Sequence, residues 1–268
     1  GAVTGRATRR RYGRAGALVT LCLTALAGGC ITTTEGSSGA EESPTEAASY
    51  NVQLGATYLS QGRLELAKDK LDKALEQDDE LAIAHTYSGL LYDRLDDAEK
   101  AAYHFRRSLR LDPDDPVALN LYGAFLCRQG DAESAEEYFV AATKDPLYRT
   151  PAAAFTNAGV CLQRVGEYDR AEAYFRRALE VDPRYPDALW QMARLSQTQG
   201  PALQARAFFQ RYLEVGELSA PVLYLGVRIE RSLGDRQRAA RYAERLLEGF
   251  PDSVEARELL ESGWTGST

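Results

Sequence analysis

Small and large apolar residues recur along this chain with a period close to 34 residues. A glycine or alanine opens the pattern at Gly55, Gly89, Gly123, Gly159, Ala193 and Gly226. A bulky apolar residue follows sixteen positions after the first five of these, at Leu71, Phe105, Phe139, Phe175 and Phe209. A fixed period of this length is typical of a stack of small supersecondary units, and it fits two helices per unit.

The helix boundaries can be predicted from proline. Asp-Pro pairs at 112–113, 145–146 and 182–183 are expected to end the second helix of a unit, because the residue before proline avoids the helical conformation. Pro116 and Pro186 suit the first turn of the helix that follows. Six units are predicted, starting near residues 48, 82, 116, 152, 186 and 219.

The pattern resembles the tetratricopeptide repeat, although the tryptophan position of that repeat is lost. The resemblance implies an all-α fold, a tetratricopeptide-repeat solenoid of about six helix-turn-helix repeats over residues 48–262. A C-terminal capping helix is expected after Pro251, with Asp252 as its N-cap and Glu255 three residues later. Residues 263–268 then form a short tail. The alternative is an ordinary helical bundle.

The first 29 residues have the pattern of an export signal. Five arginines precede an apolar run of 13 residues at 15–27, which suits a signal peptide better than a membrane span. The run leads into LAGGC, which resembles the lipobox of bacterial lipoproteins and implies lipidation of Cys30. The alternative is a plain signal peptide with an incidental cysteine. Residues 30–47 are nearly free of large apolar residues and are predicted to be a flexible tether.

The charge of the chain limits its partners. The chain has 32 basic and 39 acidic residues, a net charge of −7. Without the five arginines of the signal peptide, 27 basic residues remain against 39 acidic ones, a net charge of −12. Such an acidic domain is not expected to bind nucleic acid or anionic lipid through charge. Membrane attachment is therefore predicted to depend on the N-terminal lipid.

Two cysteines, Cys127 and Cys161, belong to the repeats. They lie in the first helices of the third and fourth units, which are expected to lie side by side. Export to an oxidising compartment would favour a disulfide between them. The alternative is two buried free thiols that act as small apolar residues.

No residue constellation indicates catalysis. The chain has no glycine-rich phosphate loop, no nucleophile motif and no Cys-x-x-Cys or zinc-binding motif. Its two histidines, His85 and His104, are interpreted as structural. We therefore predict a protein that is not an enzyme and has no cofactor, metal or small-molecule substrate.

The predicted functional surface is the groove formed by the first helices. Its N-terminal end carries an apolar strip with two charged residues at the edge, which together are proposed to bind a partner helix. The strip consists of Val52, Ala56, Leu59, Ile83 and Leu90, and the edge of Asp93 and Arg94. The alternative is that the tether or a neighbouring loop covers these residues.

A narrower resemblance rests on VALNLYGAFLCRQG (117–130) and YFVAATKDPLYRTPAAAFTNAGVC (138–161). Both stretches, including the DPLYRTP insertion, resemble the type IV pilus biogenesis and stability lipoproteins of the PilW/PilF type. This resemblance implies a pilotin-like lipoprotein on the periplasmic face of the outer membrane, whose partner is the secretin subunit of the pilus. The alternative is a periplasmic scaffold for another envelope assembly, such as outer-membrane protein insertion or cell-wall synthesis.

Overall fold

The computed structural model describes residues 44–263, and within this range every regular element is an α-helix. Thirteen helices form six antiparallel pairs and one terminal helix, which confirms the predicted all-α repeat solenoid. The helices are Pro44–Ser60 (α1), Leu64–Gln77 (α2), Ala82–Arg94 (α3), Ala98–Leu111 (α4), Pro116–Arg128 (α5), Ala132–Ala142 (α6), Pro151–Arg164 (α7), Tyr168–Val181 (α8), Pro186–Gln199 (α9), Ala202–Leu213 (α10), Ala220–Ser232 (α11), Arg236–Gly249 (α12) and Val254–Glu261 (α13).

The first helices of the pairs form the inner layer of the stack. Each first helix contacts the first helix of the next pair as well as its own second helix. The second helices of successive pairs lie farther apart, and α6 and α8 meet through side chains, since the hydroxyl of Tyr174 donates a hydrogen bond of 2.7 Å to the Glu136 carboxylate. A stack curves toward the helices that lie closer together, so α1, α3, α5, α7, α9 and α11 line its concave side.

The recurring glycines and phenylalanines meet within each pair. A Cβ atom added at Gly89 would lie 2.8 Å from the ring of Phe105, and one added at Gly159 would lie 2.5 Å from the ring of Phe175. The missing side chain thus lets the ring lie directly against the backbone of the first helix. Phe105 also packs against Tyr122 and so joins its pair to the next. The sequence period therefore corresponds to one repeated contact between helices.

The N-terminal boundary differs from the prediction. Helix α1 begins at Pro44, so residues 44–47 belong to the helix and not to the tether. The hydroxyl of Thr45 donates a hydrogen bond of 2.8 Å to a carboxylate oxygen of Asp78, at the end of α2, and Ala48 is fully buried. These contacts stabilise the additional N-terminal turn of α1.

The C-terminal helix caps the stack as predicted, but with a different N-cap residue. Ser253, and not Asp252, accepts the hydrogen bond from the backbone N–H of Ala256. Ala256 and Leu259 are buried against α11 and α12, so α13 covers the apolar end of the last pair. A solenoid needs such a cover because each repeat buries its apolar face only against its neighbours.

The insertion between α6 and α7 is an ordered turn held by side-chain contacts. The Asp145 carboxylate accepts a hydrogen bond of 2.8 Å from the backbone N–H of Leu147. The Tyr148 side chain packs against the cluster of Leu119, Ala142 and Ala154. The insertion therefore extends the connection while it stays attached to the core.

Candidate interaction surface

The open side of each inner helix points away from its glycine. Gly89 faces α4, and a helix turns about 100° per residue. Ile83 and Leu90 then point about 100–120° away from the direction of Gly89, out of the contact with α4. Ile83 is 41% exposed and Leu90 is half-buried. These two residues of the predicted strip therefore lie on the concave surface.

Two residues of the predicted strip are in the core. Val52 is 3% exposed and packs with Ala48, Ala74 and Ala84, while Leu59 is 1% exposed and packs with Leu71 and Leu91. The prediction that Val52 and Leu59 lie on an open face is wrong. Both point only about 40–60° from the direction of Gly55, toward the neighbouring helices.

Ala56 lies at the border of the concave surface. It follows Gly55 directly, about 100° around the helix, and is half-buried. Its methyl group is small, so it adds little apolar area to the predicted strip. The first repeat therefore presents less apolar surface than the sequence indicated.

The two predicted edge charges bond within the chain. Asp93 forms an ion pair with Arg128, whose Nε donates a hydrogen bond of 3.2 Å to it. The guanidinium of Arg94 donates a hydrogen bond to the backbone carbonyl of Leu59. In both cases an arginine at the end of one inner helix bonds to the preceding inner helix. These contacts hold neighbouring repeats together, and a partner would have to compete with them.

An apolar strip does exist, but it is centred farther along the stack than predicted. Val117 occupies the same place in the third repeat as Ile83 in the second and is 37% exposed. Ala124 corresponds to Leu90 and is half-buried. We call Ile83, Leu90, Val117 and Ala124 the inner strip. The sequence did contain the signal for Val117 and Ala124, because both keep the repeat spacing of the other two.

The thiols of the third and fourth repeats meet between α5 and α7. The structure joins Cys127 and Cys161 by a disulfide with Cα atoms 5.6 Å apart. Cys127 points about 40° from the direction of its glycine, toward the next repeat, and Cys161 points about 160° to the other side, toward the preceding repeat. Their different places within the repeat thus let them face each other. That the bond forms in the cell stays a prediction.

The disulfide also changes the pattern of arginine contacts. Cys127 occupies the position at which Leu59 and Asp93 accept a hydrogen bond from the following repeat. Arg164, which corresponds to Arg94 and Arg128, forms no ion pair with another described residue. The guanidinium of Arg164 thus has no ion-pair partner among residues 44–263.

The two histidines form a pair between α3 and α4, in which His85 is buried and His104 is half-buried. Their Nδ1 atoms are 2.9 Å apart, and Nε2 of His85 lies 3.0 Å from the backbone carbonyl of Asp79. Burial lowers the pKa of His85, and burial with the nearby His85 ring lowers the pKa of His104 to about 4. Both rings are therefore neutral near pH 7. In the part of the chain that the structure describes, no three His, Cys, Asp or Glu side chains are grouped to hold a metal ion.

The predicted anchor lies outside the described residues, as do the signal peptide 1–29 and Cys30. Most of the predicted tail, residues 264–268, lies outside them too. Among residues 44–263, no helix is long and apolar enough to cross a bilayer.

Profiles described as "Tetratricopeptide repeat" match residues 52–116, 104–137 and 152–185 of this chain. The type IV pilus assembly protein PilF of Pseudomonas aeruginosa is 32% identical over 150 residues, which cover 56% of this chain and 60% of that protein. The chain thus spans less than two thirds of that relative.

Two solved structures have the same architecture over nearly their whole length. The crystal structure of PilW, described as a widely conserved type IV pilus biogenesis factor, is 32% identical with a TM-score of 0.73. It covers 80% of this chain and 98% of its own. The structure of PilF from Pseudomonas aeruginosa is 30% identical with a TM-score of 0.72 and covers 82% of this chain and 99% of its own.

Proposed function

This chain belongs to the PilW/PilF type of tetratricopeptide-repeat proteins of type IV pilus biogenesis, and we propose that it acts there as a pilotin-like lipoprotein. In this proposal the protein is not an enzyme. It is anchored by lipid on Cys30 to the periplasmic face of the outer membrane. There it binds a secretin subunit and helps the subunits to form their multimer.

The inner strip is the observation that carries the binding proposal. Ile83 and Val117 are exposed on neighbouring inner helices, and Leu90 and Ala124 extend the apolar area between them. Contiguous exposed apolar surface on a folded domain marks a binding site more often than scattered apolar residues do. A groove lined by helices with an apolar strip suits an amphipathic helix of the partner.

The binding proposal can be tested with charge placed in the strip. Ile83→Glu and Val117→Glu, combined, should reduce secretin multimers in membranes and pili on the cell surface. Leu203→Glu is the matched control, because Leu203 is also an exposed apolar residue but lies on α10, a second helix. Circular dichroism checks that both proteins keep their helices. Normal multimers in the folded double variant would refute the strip as the secretin site.

The anchoring proposal has its own test. Cys30→Ala should move the protein from the membrane fraction to the soluble periplasmic fraction. Mass spectrometry of the wild-type protein should show acyl groups on Cys30. A wild-type protein that is already in the soluble fraction, with no added mass, would favour the plain signal peptide instead.

A further inference from the structure

A cavity of about 320 Å³ opens between α9, α11 and the capping helix α13, away from the inner strip. Its apolar part is formed by Trp190 from α9 and by Tyr224 and Leu225 from α11. Its volume is at the lower end of the range for ligand sites, about 300–1,000 Å³, so it suits one large side chain with its neighbours better than a cofactor.

The ring of Trp190 contacts two neighbouring side chains. Its ring centroid lies 5.5 Å from that of Tyr212, and the guanidinium carbon of Arg194 lies 5.7 Å from the Trp190 centroid. Leu225 beneath the cavity is buried. A half-buried tryptophan held in this way offers a large apolar face at little cost in conformational entropy.

The rim of the cavity has two sides of opposite charge. Arg194 and Arg228 project from the inner helices, and Glu255 and Glu258 project from α13. None of the four forms an ion pair with another described residue. Arg128, by contrast, is paired with Asp93 on the same concave side. The cavity thus combines an apolar floor with charges that have no ion-pair partner among the described residues, although the guanidinium of Arg194 contacts the ring of Trp190.

We propose that this cavity binds a short segment of a partner protein that inserts one aromatic or large apolar side chain over Trp190. The segment carries a carboxylate toward Arg194 and Arg228 and a basic residue toward Glu255 and Glu258. The charge pattern of the rim selects this occupant, because a segment with the reverse order would place like charges together.

The occupant can be identified by chemistry without knowing the partner. A displayed library of random twelve-residue peptides is selected on the purified full-length chain, with counter-selection on the Arg228→Glu variant. Enriched peptides should share an aromatic or large apolar residue with an acidic residue close to it. One such peptide, labelled with fluorescein, should bind Arg228→Glu about tenfold or more weakly in fluorescence polarisation.

A charge swap separates recognition from a general effect on the fold. Replacing the acidic residue of the peptide with lysine should restore binding to Arg228→Glu and abolish binding to the wild-type chain. Arg106→Glu is the control, since Arg106 is an exposed arginine on α4, outside the cavity. Glu258→Lys should weaken only peptides that carry the basic residue.

Three results would overturn the proposal. The first is no enrichment of peptides over the counter-selected variant, and the second is enriched peptides without an acidic residue. The third is self-association of the wild-type chain in analytical ultracentrifugation that Arg228→Glu abolishes, which would make a second copy the occupant. The peptide measurement requires neither a pilus nor a secretin, so its failure would leave the proposed function untouched.

Discussion

The His85–His104 pair should make the second repeat sensitive to mild acid. The carbonyl of Asp79 can only accept a hydrogen bond, so Nε2 of His85 donates to it and Nδ1 of His85 accepts from Nδ1 of His104. A proton added to Nδ1 of His85 would place two N–H groups against each other. Acidification from pH 7 to pH 5 should therefore weaken the contact between α3 and α4.

The size of the effect follows from the lowered pKa. His104 goes from an ordinary pKa of 6.5 to about 4 on folding, so the unfolded chain binds the proton first and stability falls as the pH drops from 6.5 toward 4. An unscreened shift of this size would cost about 2 kcal/mol at pH 5. The ring is only partly buried, so solvent screening reduces the expected loss to roughly 1 kcal/mol.

Nuclear magnetic resonance can follow the pair directly, because the chain has only two histidines. His104 should titrate near pH 4 and His85 below its ordinary pKa of 6.5, as a coupled pair. In urea unfolding, the wild-type protein should lose about 1 kcal/mol more between pH 7 and pH 5 than His104→Gln, which keeps a donor but does not titrate. Two histidines that titrate near pH 6.5, or equal losses in both proteins, would refute the neutral pair.

Three further changes test the packing. Cys127→Ser should lower the free energy of unfolding by roughly 3–4 kcal/mol under oxidising conditions, since the bond closes a loop between residues 34 apart. Gly159→Ala should lower the free energy of unfolding by about 1–2 kcal/mol. Its Cβ would overlap the ring of Phe175, and the resulting strain would exceed the gain in helix propensity. Glu230→Gln should cost about 2–3 kcal/mol, because the buried carboxylate pairs with Arg206.

Each change has a matched control in urea or thermal unfolding. Reduced wild-type protein should behave like Cys127→Ser, and free thiols in periplasmic material would contradict the bond. Gly249→Ala adds a methyl group in open space and should be neutral or slightly stabilising. Glu172→Gln removes an exposed pair with Arg176 and should have almost no effect. Equal losses in test and control would refute the packing argument.

The fold was predictable because its signals are local and repeated. Phe105 and Phe175 lie sixteen residues after their glycines, and each ring meets its glycine in the structure, so the period of the sequence reflects one repeated contact. Pro116 and Pro186 begin helices, as their fixed backbone geometry requires. The N-cap of α13 was missed because Asp252 and Ser253 are both good capping residues, and only the backbone decides between them.

The interaction surface was less predictable, because it depends on how neighbouring helices are turned. Leu59 and Leu90 are the same type of residue and both belong to the predicted strip, yet only Leu90 reaches the concave surface. The direction of the contact glycine distinguishes them, since Leu59 lies within about 40° of it and Leu90 about 100° away. The arginine contacts to the preceding repeat could not be predicted, because they join residues about 35 positions apart.

The near-identity of the Gly–Phe contacts creates a problem of alignment during folding. A helix pair that docks one unit out of place would bury a similar ring against a similar backbone, so the incorrect stack would differ little in energy from the correct one. Cys127 and Cys161 break this equivalence, because they occupy different places within their repeats and meet only when the third repeat lies directly before the fourth. In an oxidising compartment, the disulfide would form only in the correctly aligned stack and would stabilise that alignment over the others.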